Sequence, residues 1–468
     1  MDIIQRMSQS LRELNNSDLD NSLVVLGVQY SPTVDDWGKQ DEDMPVGLLH
    51  HILPKKQAWN PEFLLDVKSR LHFTYRTRFS PIVRHPDGPS PLSIGALLRN
   101  NPLNVLENVM KNSDCFITDI GWGCMIRTGQ SLLANALQRV KLGRDFRTTA
   151  AEDPNDKELT IIRWFQDDIK YPFSLHKFVQ EGFELSGKKP GEWFGPSATS
   201  MSIQSLVKKF PACGINQCTI STSSGDVYLD QLDPLFEADR DTTLLLLLCV
   251  RLGVNDLNEY YWNDIKQILT SKQSVGIAGG RPSSSLYFFG YQGDYLFYLD
   301  PHHAQPQLCS YKDEADLYNS VHPQKFNKIH LSAIDPSMLV GILILGKEDW
   351  KAWKKSIKSS RIIHLSDSQP PDILLDNDIE RLITGDKVAI NGQKDLKSEL
   401  DSGDYIDVGS FLHSAEPHKL IEPEDEYQEV HCKNQRIVVM SETAEAGGPQ
   451  IEVEKVLVED QTIPVRSK

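Results

Sequence analysis

Cys124 lies in TDIGWGCMIRTGQSLLANALQRVKLG (118–143), where a glycine-rich turn runs into a stretch with Ile126, Leu133, Leu137 and Val140 at helical spacing. The thiol is therefore expected at or near a helix N-terminus, where unpaired backbone amides favour thiolate over thiol and lower the pKa. The same amides, including that of Cys124, could hold the oxyanion of a tetrahedral intermediate. Gly121 and Gly123 would let a substrate backbone approach closely. Free cysteine is also among the most buried residue types, so on this segment alone a core thiol remains a competing reading.

A second segment tips the balance. In YLFYLDPHHAQP (295–306), Asp300 and His302 stand two apart on an extended chain ending a strand, so both side chains can project to one side. A carboxylate bonded to one imidazole nitrogen fixes tautomer and orientation while the other nitrogen faces a nucleophile. His303 points the opposite way and is the poorer candidate. Cys124, His302 and Asp300 together make a nucleophile, a general base and the residue that orients the base.

The elements that must position these residues run from Leu23 to about Ser360, strand-like and helix-like segments alternating without obvious repeats. LVVLGVQY (23–30) reads as a strand. WNPEFLLDVKSRLHF (59–73) reads as a helix, with Asn60 as N-cap and Pro61 at the first helical position. Helices are also expected around 159–169 and 197–209, the second preceded by Pro196. Strands are expected at 242–253, 274–280, 286–291 and 295–300, the last two joined by a short loop of Gln292, Gly293 and Asp294. Gly143 is positioned to end the Cys124 helix.

Composition narrows the function classes. The longest purely apolar run, Leu244 to Val250, is seven residues, far short of the roughly 20 needed to span a bilayer, and reads as a buried strand. Seven scattered cysteines look like reduced thiols of the cytosol rather than a disulfide framework. Cys213 and Cys218 are the closest pair, but no second pair or histidine cluster completes a zinc site, so no metal or organic cofactor is expected. A net charge of −16 argues against a nucleic-acid surface. Residues 366–468 hold 23 acidic and 10 basic side chains, so most of the acidity belongs to the tail. The expected organisation is an N-terminal extension (1–21), a catalytic domain (22–360) and an acidic, mostly disordered tail (361–468). Within that tail Tyr427 with Val430, and Tyr405 with Val408, each follow acidic residues. An aromatic, two spacers and an aliphatic can add a strand to a partner's sheet edge while filling two pockets.

Taken as a set, DIGWGCM (119–125), GEWFGPS (191–197), GIAGGRPSSSLYFFGY (276–291) and LDPHHAQP (299–306), extended by FTYR (73–76) and LGVQY (26–30), closely resemble the autophagins, the autophagy-related protein 4 cysteine peptidases. The resemblance covers roughly residues 22–355, in the family's order. It implies a papain-like α+β fold and a Cys, His, Asp triad at Cys124, His302 and Asp300. It implies as substrate the ubiquitin-like autophagy modifier, autophagy-related protein 8, cut after its C-terminal glycine, both as precursor and when that glycine is linked to phosphatidylethanolamine. Membrane contact would then be transient and made through the substrate, by an enzyme of the cytoplasm. Tyr75 matches a tyrosine that helps form the oxyanion hole. Trp193 matches a tryptophan that covers the cleft and, with a mobile glycine-rich loop matched by Gly279 and Gly280, makes it too narrow for any residue but glycine. The four-residue tail patterns resemble the motif that binds this modifier. A non-catalytic adaptor using those patterns should have lost a triad member, and none is lost.

Overall fold

The computed structural model describes residue 16, residues 18–32, 59–91, 114–148, 155–223, 225–281 and 284–368, and the backbone of four strands between 427 and 467. The chain begins with β1 (Leu23–Val25) and β2 (Val28–Tyr30), followed by α1 (Pro61–Lys68), β3 (Arg76–Val83), β4 (Cys115–Thr118) and α2 (Cys124–Leu142). Helices α3 (Asp156–Trp164), α4 (Leu175–Ser186) and α5 (Pro196–Lys209) come next, then β5 (Gln217–Ser223), β6 (Asp226–Tyr228), α6 (Leu229–Ala238), β7 (Thr243–Arg251) and α7 (Trp262–Thr270). The remainder comprises β8 (Ser274–Arg281), β9 (Ser284–Gln292), β10 (Tyr295–Leu299), β11 (Gln305–Pro306), α8 (Glu314–Asn319), β12 (Asn327–His330), β13 (Ser337–Leu345), α9 (Lys347–Ser356) and β14 (His364–Ser366).

One nine-stranded sheet organises these elements. Its path is β12-β10-β9-β8-β13-β7-β5, with β1 added on β9 and β2 on β1. The apolar run of β7 sits inside it between β13 and β5. Leu245, Leu247 and Cys249 face one core and Leu244, Leu246, Leu248 and Val250 the other. Both faces of the strand are buried, which is why its sequence is unbroken in apolar residues rather than alternating. The first core is closed by α2 with α4 and α5, through Leu132, Leu133, Leu137, Phe178 and Ile203. The second is closed by α6, α7 and α9, through Phe236, Ile265, Trp350 and Trp353.

The expected helix starts hold. Asn60 Oδ1 accepts from the amides of Glu62 and Phe63, with Pro61 opening α1, and Pro196 opens α5. Gly143, at φ +84°, ends α2. LVVLGVQY differs from the single strand expected: Leu26 and Gly27 both take positive φ and fold it into the β1–β2 hairpin, the geometry that tight two-residue turns demand. Between β9 and β10, Gln292 already pairs with Tyr295, so the loop is the two residues Gly293 and Asp294.

The body continues past residue 360. Ile362 and Ile363 are buried in the second core, and β14 pairs in parallel with β6. Farther on, strands β15 (Tyr427–Cys432) and β16 (Gln435–Met440) form one antiparallel hairpin, and β17 (Glu452–Val458) and β18 (Gln461–Ser467) another. Tyr427 and Val430 lie on β15, whereas Tyr405 and Val408 lie outside the described residues. Residues 1–15 of the N-terminal extension also lie outside them, while the backbone carbonyls of Asp18 and Asn21 accept from Gln292 Nε2 and tie residues 18–21 to the sheet. No helix among the described residues is long and apolar enough to cross a membrane.

Helix α2 lies against the sheet at Gly341, where an added Cβ would stand 2.7 Å from Val275 Cγ2 and 2.9 Å from Leu132 Cδ2. Gly341→Ala is expected to overpack this contact and lower stability by about 1–3 kcal/mol, read as a lower urea midpoint with unchanged slope. An unchanged midpoint would show that the helix has room to move away from the sheet.

Candidate active site

Cys124 is the first residue of α2, with Gly123 as its N-cap. No side chain caps this helix, so its positive end faces the thiol uncovered by a capping group. The turn that delivers it is held by Asp119, whose carbonyl accepts from the amides of Trp122 (3.2 Å) and Gly123 (2.9 Å). Gly123 has no alternative residue here, because a Cβ would stand 2.6 Å from the Asp119 carboxylate.

The structure brings His302 and Asp300 to this thiol. Asp300 Oδ1 accepts from the ring Nδ1 of His302 at 2.6 Å and from its backbone amide at 3.0 Å. The pair is made by a turn beyond the end of β10, not by neighbouring positions on an extended strand. Pro301 bends the chain, and one carboxylate oxygen ties both donors of His302 to itself. With Nδ1 thus occupied, Nε2 is the nitrogen left for the thiol, and it also lies 3.4 Å from Ser284 Oγ. His303 is exposed, as expected of the poorer candidate.

Cys124 is buried. Burial alone pushes its thiol up, but hydrogen bonds from His302, the Ser285 amide and the Tyr75 hydroxyl outweigh it, and the net shift is downward. Burial works against the charged form of His302 too, yet Asp300 and Cys124 raise its pKa to about 9. Asp300 is likewise pushed up by burial and brought down further by His302. Opposite shifts on thiol and imidazole favour the thiolate–imidazolium pair over the neutral one.

Tyr75 precedes β3, and its hydroxyl reaches the thiol. Burial, then Cys124, raises its pKa, so it stays a neutral donor. Its amide donates to Pro301 O (2.8 Å) and its carbonyl accepts from Gln305 N (2.9 Å), so the Tyr75 segment is bonded directly to the chain on both sides of His302. Trp193 is 39 % exposed, and its indole N–H donates to Gly121 O at 2.5 Å. The indole is therefore anchored on the turn that leads to the thiol. Gly279 and Gly280, in a loop by the family resemblance but in the strand expected at 274–280 by their pattern, are strand residues, opposite Leu286 and Ser285 on β9. A Cβ on Gly280 would meet Ser284 O at 2.0 Å, so glycine here serves close strand approach. Residues 282–283, between β8 and β9 in the chain, lie outside the described residues.

Three contributors went unassigned at the level of sequence. Ser285 supplies the amide that meets Cys124, and its hydroxyl is held by Gly279 O and Thr128. His72, whose pKa burial drives down to about 4, donates Nε2–H to Asp300 O at 3.1 Å and braces the turn from behind. Asp119 and Ser285 stood inside quoted motifs, but nothing in their spacing revealed a role, and His72 lies far from the triad in sequence.

A papain-like α+β fold with a lowered thiol at a helix start, facing an imidazole held by a carboxylate, defines a cysteine peptidase. The chain belongs to the Peptidase C54 family, whose catalytic-domain profile matches residues 60–356. It is 63% identical over 469 residues to the probable cysteine protease ATG4 of Eremothecium gossypii, covering all of this chain and 90% of that one. It is 48% identical to the cysteine protease ATG4 of Kluyveromyces marxianus, covering 99% of each chain. To the cysteine protease ATG4 of Saccharomyces cerevisiae it is 44% identical, over all of this chain and 97% of that one.

The pH profile of hydrolysis follows from these shifts. Activity should rise as Cys124 loses its proton below the ordinary thiol range and fall as His302 loses its own near pH 9. Asp300→Asn removes the carboxylate charge that helps raise His302, so the basic limb should move to lower pH. A basic limb that stays in place would separate it from His302.

Proposed function

We propose that this peptidase cleaves the ubiquitin-like autophagy modifier after its C-terminal glycine, in the precursor and in the phosphatidylethanolamine conjugate. The observation that carries the reading is the convergence of His302, the Ser285 amide and the Tyr75 hydroxyl on the Cys124 thiol. The Cys124 thiolate attacks the glycine carbonyl. Tyr75 and the Cys124 amide hold the oxyanion, and His302 protonates the leaving amine, whether of a peptide or of the lipid headgroup. His302 then takes a proton from water, which releases the thioester, while Asp300 keeps the ring in its tautomer.

The choice of glycine is supported by the Trp193 indole anchored on Gly121. A flat ring beside a glycine-lined turn favours a substrate residue without a side chain. Recognition of the folded modifier is extended by the tail. Among the described residues β15 pairs in a ladder only with β16, and the strand bearing Tyr427 and Val430 would add to a partner's sheet edge. Tyr405 with Val408 offers another such motif. The lipid-linked substrate brings this cytoplasmic enzyme to autophagic membranes for the time of the reaction.

Incubation with the modifier bearing a C-terminal extension, and with its conjugate on vesicles, tests the reading. Release of the extension and of the lipid is expected from the intact protein and from neither in Cys124→Ser. Trp193→Ala should admit a modifier ending in alanine. A protein that leaves both substrates whole under reducing conditions would contradict the assignment.

A further inference from the structure

We propose that Arg127, clamped between Asp119 and Asp167, is a positioning residue that holds together the three chain segments carrying Cys124, Tyr75 and His302. The inference rests on Cys124 as nucleophile. Arg127, Asp119, Asp167 and Arg76 are all fully buried. Arg127 Nε stands 2.6 Å from Asp119 Oδ2 and its Nη1 2.9 Å from Asp167 Oδ1. Nη1 also donates to Gln130 Oε1 at 3.0 Å.

Each carboxylate passes the constraint to another segment. Asp119 fixes the turn before Cys124 through its carbonyl, and its Oδ1 accepts the amide of Arg76 at 2.6 Å, next to Tyr75. Asp167 Oδ2 accepts the amide of Leu308 at 2.8 Å, on the segment that follows His302. Arg76 closes the loop, donating to Pro306 O (3.1 Å) and Ser320 O (2.8 Å). Two buried anions and two buried cations thus connect the nucleophile's turn, the oxyanion strand and the chain leaving the general base.

Stability is a poor reason for this arrangement, since buried ion pairs are often matched or bettered by apolar side chains of equal volume. Geometry is a better one. The guanidinium carries its donors in a fixed fork, so Nε hydrogen-bonds Asp119 while Nη1 stands at ion-pair distance from Asp167, a spacing that a single ammonium nitrogen does not reproduce. Small misplacements of reacting groups are costly, a shift of about 1 Å being worth on the order of 10²-fold in rate. The groups facing Cys124 are His302, Ser285 and Tyr75, with Asp119 acting in turn on Tyr75, and all but Ser285 stand on segments that the clamp joins.

Full-length Arg127→Lys, which keeps the charge and loses the fork, is compared with the wild type and with Cys124→Ser on the extended modifier. Alkylation of Cys124 by iodoacetamide is followed across pH by peptide mass, and the folded fraction by thermal unfolding. The expected result is kcat lowered by on the order of 10²-fold with KM nearly unchanged, and an alkylation onset displaced to higher pH. Asp167→Asn, which leaves the Asp119 pair intact, should move both readouts the same way by less, and it decides the matter if the lysine variant does not fold. Unchanged kcat and alkylation onset in a folded variant, or losses that only follow the folded fraction, would overturn the proposal. Cleavage by Cys124→Ser would instead overturn the nucleophile, and this proposal with it.

Discussion

The site depends on one contact, that of the Cys124 thiol with the His302 imidazole, because neither the helix nor burial makes a thiolate by itself. A helix N-terminus contributes typically about 0.3–1 kcal/mol, whereas one pKa unit corresponds to about 1.4 kcal/mol. Burial acts in the opposite direction. The other buried cysteines show the result when no imidazole is present: Cys213, Cys218 and Cys249 are all pushed up, chiefly by burial. Cys124 is shifted down in spite of the same burial, and the first of the opposing causes is His302.

Much of the architecture serves that contact. Helix α2 runs through the first core with its N-terminal fifteen residues buried, so the thiol sits on an element that cannot shift without disturbing the sheet. His302 arrives from beyond the end of β10, whose pairing with β9 and β12 fixes where the chain leaves the sheet. The short β11 pairs in parallel with β3 and returns the chain beside Tyr75 and Arg76. Thiol, imidazole and phenol thus come from three places in the sequence and are joined by backbone hydrogen bonds and buried charge.

The legible parts were those with local causes. The helix at Cys124 could be read from its glycine turn and periodic apolar residues, and β7 from an unbroken run that only a strand buried on both faces requires. Asp300 and His302 could be paired from their spacing, although the turn that pairs them resembles an extended strand when only alternation is considered. The β1–β2 hairpin was concealed because its turn, Leu26 and Gly27, carries only one residue typical of such turns. The residue pattern at 274–280 places Gly279 and Gly280 in a strand, where they pair with β9; the loop was implied only by the family resemblance. Asp119, Arg127 and Asp167 were silent for a different reason: Asp119 lies in the turn before the helix and Asp167 beyond it, at no regular spacing from Arg127, and charged residues look like surface until the fold buries them.

The central claim, that Cys124 is the atom that attacks a terminal glycine carbonyl, is tested most directly by covalent capture. The autophagy modifier is prepared with an electrophile in place of the bond after its C-terminal glycine and mixed with the intact protein at neutral pH, and the modified residue is mapped by peptide mass. The account predicts one adduct, on Cys124, in a chain that has six other cysteines to offer. An adduct on another cysteine, or none at all under reducing conditions, would contradict it.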